Sequence, residues 1–166
     1  MVTADLARLN SVSADLHSST KEGVFSEILG TLSACARVGD TQRILRSLLD
    51  REQQGSTGIG SGVAVPHARL EGLTEPVLFV GVSRQGIDFA SSDRQPVHIV
   101  ILLLTPVSEI GASLKILAHI ARMVNDRYFI SRIMQASTNE ELFALLKESG
   151  SAMETPALDD SRGYSK

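Results

Sequence analysis

A three-layer α/β/α domain, a mixed β-sheet flanked by helices on both faces, is the architecture this sequence predicts. Three observations point there. Residues 76–83 and 97–104 are apolar on both faces, apart from Ser83 and His98, which marks strands covered on both faces. Helical patterns come in pairs near both ends of the chain, so helices are available for two layers. Finally, 166 residues with 43% hydrophobic content and no internal repeat suit one core. Residues 1–150 are expected to form that single domain, with 151–166 a flexible polar tail.

Each element has a local cause. Residues 12–16 alternate apolar and polar and read as a short strand. Ser18, Ser19 and Thr20 are cap candidates for a helix over 20–37, where Val24, Ile28, Leu32 and Cys35 recur at helical spacing. Cys35 is the one cysteine, so an internal disulfide is impossible, and the pattern predicts a buried small residue there. Gly39 and Asp40 break that helix and cap a second over 41–54, with Ile44, Leu45, Leu48 and Leu49 on one face. Residues 86–89 suggest a short separate strand between the two apolar ones. His17 reads as a solvated cap residue, and His98 as a half-exposed or hydrogen-bonded strand residue.

At about 100° per residue, the helix predicted over 109–126 puts Ile110, Leu114, Leu117, Ala121 and Val124 on one line. Ile116, Ile120 and Met123 form an adjacent stripe. That places Ser113 inside the buried arc and His119 on the opposite, solvent side with Lys115 and Arg122. A further short helix is expected over 126–136. Ser137 to Glu140 reads as a capping box opening the last helix, with Leu142, Leu145 and Leu146 inward.

Composition removes several function classes. A net charge of −3 without a Lys/Arg block offers nothing to nucleic acid. The longest apolar run, 99–104, is far too short for membrane insertion, and no export signal is visible, so a cytoplasmic setting is expected. No His/Cys cluster has metal-ligand spacing, so no metal and no cofactor is expected. With two Tyr, five Phe and no Trp, few faces exist on which a sugar or base could stack, which does not count against phosphate.

The chemistry centres on residues 55–69, Gly-Ser-Thr-Gly-Ile-Gly-Ser-Gly-Val-Ala-Val-Pro-His-Ala-Arg. Gly55, Gly58, Gly60 and Gly62 allow backbone N–H groups to converge into an anion cradle, and the same letters also describe a flexible turn. Pro66 stiffens the approach to His67. A phosphate-binding P-loop is excluded by the missing lysine, the dinucleotide fingerprint by valines in its third glycine slot, and the nucleophile elbow by glycines flanking Ser61 directly. Arg51, in the last turn of the second helix, reads either as a cation favourably placed at a helix C-terminus or as a phosphate clamp folding over the loop.

Taken with Ser19-Thr20-Lys21, Leu49 to Glu52, Gly86 to Phe89, Asp93 to Val97, Leu114 to Ala118 and Glu140 to Leu142, this loop resembles a known family. It is similar to the enzyme IIA domain of the bacterial phosphoenolpyruvate-dependent phosphotransferase system, in the class with fructose, mannitol and nitrogen-regulatory members. The resemblance covers about residues 10–148 in order and spacing. It implies a phosphoryl carrier, a phosphotransferase working through a phosphohistidine. His67 would take the group from a histidine-containing phosphocarrier protein on Nε2, with Nδ1 tied to the protein. It would then pass the group to an enzyme IIB, or hold it as a signal to a regulated protein target. The resemblance also turns Arg51 toward the clamp reading. Thr57, Gly60, Ser61 and Ser113 complete the expected phosphate-binding set.

One position departs from the family. Where a second histidine usually stands, this chain has Ser113, whose hydroxyl brings no cationic form. Slower transfer or a less stable phosphorylated form is the consequence to expect. A regulatory module switched by phosphorylation at His67 is therefore the alternative function, and a scaffold without phosphorylation a third.

Overall fold

A computed structural model of the chain describes residues 11–152, apart from position 36. The expectations about the first ten residues and about 153–166 lie outside the described residues.

The elements follow as β1 (Val12–Ser13), α1 (Lys21–Ala34), α2 (Thr41–Gln53), β2 (Gly58–Gly60), β3 (Val63–Ala64) and β4 (His67–Leu70). Then come β5 (Val77–Ile87), β6 (Val97–Pro106), α3 (Ile110–Asn125), α4 (Arg127–Gln135) and α5 (Asn139–Ala152). The strands join one mixed sheet in the order β1-β5-β6-β3-β2, and β4 also pairs with β6. Strands β5 and β6 are antiparallel, while β3 and β4 both run parallel to β6, which makes them two segments of one interrupted strand along its edge.

The two central strands explain the layers. In β5, Leu78, Val80 and Val82 face one apolar cluster, with Ile116, Ile120 and Met123 of α3, Phe129 and Ile133 of α4, and Leu142, Leu145 and Leu146 of α5. Val77 and Phe79 face the other, with Val24, Phe25, Ile28, Leu29 and Leu32 of α1 and Ile44 and Leu48 of α2. Strands apolar on both faces bury both, and each such large side chain is worth about 1.5–3 kcal/mol. The α/β/α architecture is the predicted one.

Caps set the helix starts. The Thr20 hydroxyl accepts from the Gly23 amide, and a Cβ at Gly23 would sit 2.8 Å from that oxygen. Asp40 accepts from the Arg43 amide, and Asp126 from Tyr128 and Phe129.

Several expectations shift. Residues 86–89 do not form a separate strand: β5 continues past a register irregularity between Val82 and Ile87, with Gly86 at φ +89°. A Cβ on Gly86 would lie 2.9 Å from Pro96 Cβ, so this crossing requires glycine. Strand β1 is shorter than predicted because the Ala14 amide turns to Asn139 Oδ1. Helix α1 stops at Ala34, leaving Cys35 half-buried at its C-cap instead of buried. The last capping box sits one residue later than predicted, with Thr138 Oγ1 accepting from the Glu141 amide and the Glu141 carboxylate from the Ser137 amide. Helix α5 runs to Ala152, two residues into the expected tail.

The largest correction concerns α3. Its sheet-facing residues are Ser113, Ile116, His119, Ile120 and Met123, while Ile110 is 53% and Leu114 63% exposed. His119, expected on the solvent side, is buried. The apolar surface of this helix is wider than the sheet can cover, and the packed arc is the one centred on Ile116 and Ile120, not on Leu114.

Candidate active site

His67 begins β4, opposite Leu103 of β6, and Arg69 lies opposite Thr105. Two residues apart on a strand, His67 and Arg69 present to the same face of the sheet. They line a small cleft of about 70 Å³ closed by Leu103 and Thr105 below and by Ile110, Ser113, Leu114 and Leu117 of α3 above. The His67 ring is half-buried, and its Nδ1 lies 2.9 Å from the Val65 carbonyl oxygen. A carbonyl only accepts, so this bond requires the proton on Nδ1, and Nε2 is left with the lone pair. Nε2 has no hydrogen-bond partner among the described residues.

The approach to that ring is held on both sides of Pro66. The Val65 amide donates to the Thr57 carbonyl at 3.0 Å, and the Pro66 carbonyl accepts from the Leu103 amide at 2.9 Å. Proline has no amide of its own to satisfy and a fixed φ.

Of the sequence-predicted site residues, the structure brings His67 and Ser113 together in the cleft. Ser113 is buried, and its hydroxyl donates to the Glu109 carbonyl one turn earlier at 2.8 Å. It can accept a further bond in the cleft, with its proton already committed. Arg51 reaches the first glycine of the loop, donating to the Gly55 carbonyl at 2.9 Å.

The glycine loop itself is a hairpin, not an open cradle of amides. Gly58–Gly60 and Val63–Ala64 pair antiparallel, and Ser61 (φ +56°) and Gly62 (φ +77°) turn the corner in the left-handed region that two-residue hairpins use. Several of its donors are taken. The Ser61 amide donates to Asp93 Oδ2 at 3.0 Å, the Gly58 amide to Ser56 Oγ at 3.1 Å, and the Thr57 amide and hydroxyl both to the Glu52 carboxylate. Amides of Gln95 and Ser61 hold the Asp93 carboxyl below its usual range. Thr57, Gly60 and Ser61 are absent from the cleft lining. Close contact also explains a glycine here: a Cβ at Gly58 would fall 2.3 Å from Ser91 Oγ.

Arg69 was missed by sequence reasoning. Exposed at the mouth of the cleft, its guanidinium makes no hydrogen bond or ion pair among the described residues. The signal was present in the spacing His67-Ala-Arg69, since a two-residue step keeps one face of a strand. A wider concavity of about 630 Å³, bounded by Gln85, Asp88, Arg94 and Gln95, contains none of the predicted residues.

The site therefore brings a rigidly oriented imidazole, with one nitrogen unpartnered among the described residues, into one cleft with an unengaged guanidinium. Residues 5–149 match the family described as "Phosphoenolpyruvate-dependent sugar phosphotransferase system, EIIA 2", and the chain belongs to that family. It is similar to the nitrogen regulatory protein of Klebsiella oxytoca, 33% identical over 139 residues, covering 83% of this chain and 85% of that one. It is also 26% identical over 148 residues to the fructose-specific EIIABC component of Bacillus subtilis, spanning 89% of this chain but only 23% of that longer protein. Among solved structures, the nitrogen regulatory protein IIA-Ntr of Neisseria meningitidis aligns with a TM-score of 0.80 at 27% identity, covering 87% of this chain and 98% of that one. The mannitol IIA of Escherichia coli, solved in complex with phosphorylated enzyme IIB, aligns at 0.71 and 18% identity, covering 86% and 97%, which shows the fold. Among the described residues, no helix is long and apolar enough to cross a membrane.

Proposed function

We propose that the chain is a phosphoryl carrier that accepts a phosphoryl group on Nε2 of His67 from a histidine-containing phosphocarrier protein and passes it to an enzyme IIB. The observation that carries this reading is the Nδ1 to Val65 carbonyl bond, which fixes the tautomer needed for attack through Nε2. As the new N–P bond forms and the donor's N–P bond breaks, the ring gains positive charge. The Val65 carbonyl then stabilises the Nδ1–H that carries it. Phosphoryl transfer runs through a loose transition state, so aligned nitrogens and charge stabilisation supply most of the catalysis. Arg69 supplies a cation for the equatorial oxygens, and Arg51 stays at the loop rather than in the cleft. The phosphate-contacting set is therefore His67 and Arg69, with Ser113 beside them in the cleft but its hydroxyl proton given to Glu109. Thr57, Gly60 and Ser61 act in the hairpin. Exposed Ile110 and Leu114 at the cleft rim give an apolar surface against which both protein partners dock.

Incubation with the general phosphotransferase components and labelled phosphoenolpyruvate tests the proposal. Acid-labile, base-stable label is expected on the wild type and none on His67→Ala; label that persists in that variant, or none on either, overturns it.

The Ser113 geometry favours a second reading. With its hydroxyl proton spent on Glu109, Ser113 gives no donor to a phosphohistidine, and phosphorylation then serves as a regulatory switch that changes which target docks beside Ile110 and Leu114. Chase of the label separates the two. Rapid delivery to an enzyme IIB supports the carrier, and a target captured by one phospho-state alone supports the switch.

A further inference from the structure

We propose that Glu52 and Thr57 are positioning residues for His67, joined to its ring by a continuous chain of hydrogen bonds; the inference rests on the reading of His67 as the phosphoryl acceptor. The chain starts in the core. The Glu52 carboxylate, its side chain only 4% exposed, receives Lys21 Nζ at 2.7 Å, the Thr57 amide at 3.2 Å and the Thr57 hydroxyl. Thr57, also buried, offers its carbonyl to the Val65 amide at 3.0 Å. Val65 offers its own carbonyl to His67 Nδ1 at 2.9 Å. Three side chains and one backbone residue thus lead from α1 and the end of α2 to the reacting ring.

A buried carboxylate would be costly here without its donors. Lys21 balances its charge from the first turn of α1, and the Lys21 ammonium lies 4.9 Å from the centre of the Phe89 ring, so it is itself held. Glu52 would only anchor the hairpin if the chain stopped at Thr57. It continues through the Val65 amide, which is held by the Thr57 carbonyl. Pro66 has no amide, and its carbonyl is bound to Leu103. The orientation of the Val65 carbonyl is then set at its other end by the Thr57 carbonyl. Loss of that bond frees the Val65 carbonyl to turn, and the Nδ1–H of His67 loses its acceptor. Partners one step removed from a functional histidine fix its tautomer and ring angle, and their loss characteristically costs activity roughly tenfold or more.

The test uses the full chain with nitrogen-15-labelled histidine, reading the ring nitrogens of His67 by NMR at a pH where the ring is neutral. The wild type is expected in the Nδ1–H form. Thr57→Val and Glu52→Gln should each shift the ring toward the Nε2–H form and slow phosphoryl acceptance roughly tenfold in kcat, with KM little changed because the rim of the cleft is untouched. Thr57→Ser, which retains the hydroxyl, should behave as wild type. A wild-type ring already in the Nε2–H form overturns the proposal. So does a pair of variants with lowered thermal midpoints but a wild-type ring spectrum, which would leave Glu52 and Thr57 as loop anchors. Where Thr57→Val does not fold, the isosteric Glu52→Gln and the wild-type spectrum decide. A wild type that accepts no label defeats the phosphoryl reading alone, since the ring spectrum still reports on positioning.

Discussion

The glycine hairpin and the strand that follows it belong to one run of sequence, yet they treat their polar groups in opposite ways. In the hairpin, the amides of Thr57, Gly58 and Ser61 are each given to an acceptor within the fold. In β4, Nε2 of His67 and the guanidinium of Arg69 are left with no partner among the described residues. Satisfied groups make structure, and groups kept unsatisfied at a cleft make a site. The glycines therefore allow a tight turn and a close approach to Ser91, and the proposed chemistry lies one strand further on.

Substitutions can break or sharpen this contrast. The largest effect is expected at Arg69: Arg69→Gln should slow labelling of His67 roughly a hundredfold, the scale of losing a transition-state charge contact, with the thermal midpoint unchanged. A wild-type rate there would return the phosphate contact to the hairpin. Leu114→Glu, at the exposed rim of the cleft, should raise KM for the phosphocarrier about tenfold while kcat is retained, as measured by initial rates of labelling. Gly62→Ala reverses the pattern: at φ +77° it should cost about 1 kcal/mol in denaturant unfolding, with labelling kinetics unaltered. An equal loss of rate would show that the hairpin takes part in catalysis after all.

The smallest effect lies away from both regions, at His119. Burial, and to a lesser degree the Arg122 charge, lowers the His119 pKa from the ordinary 6.5. Just below that value the unfolded chain takes up a proton that the fold resists, so stability is full above about pH 6.5 and falls as the pH drops through the folded value. Among the described residues, His119 Nε2 is also buried without a hydrogen-bond partner. His119→Leu should accordingly flatten the acid limb of the stability profile and add roughly 1 kcal/mol of stability, read from urea midpoints across pH 5–8.

Much of this was legible before any coordinates. Doubly apolar strands, paired helices and caps such as Thr20 and Asp40 depend on neighbours in the chain, so their pattern is visible there. His67 stood out for a similar local reason, the proline and glycines before it. Arg69 was legible in principle and missed. The burial of His119 and the exposure of Ile110 and Leu114 were not legible, because α3 carries more apolar surface than one sheet face can cover. Only contact with β5 and β6 chooses the arc.

By itself, then, the amino-acid order determined the α/β/α layering, the turn-forming glycines and the stiffened histidine, all consequences of backbone preference and short-range periodicity. What only the tertiary structure decided was the use of each polar group. Whether the hydroxyl of Thr57 meets a phosphate or the Glu52 carboxylate, and whether the Ser61 amide stays open or meets Asp93, depends on residues far along the chain. Hydrogen bonds are short-ranged and directional, so packing alone brings those partners within reach.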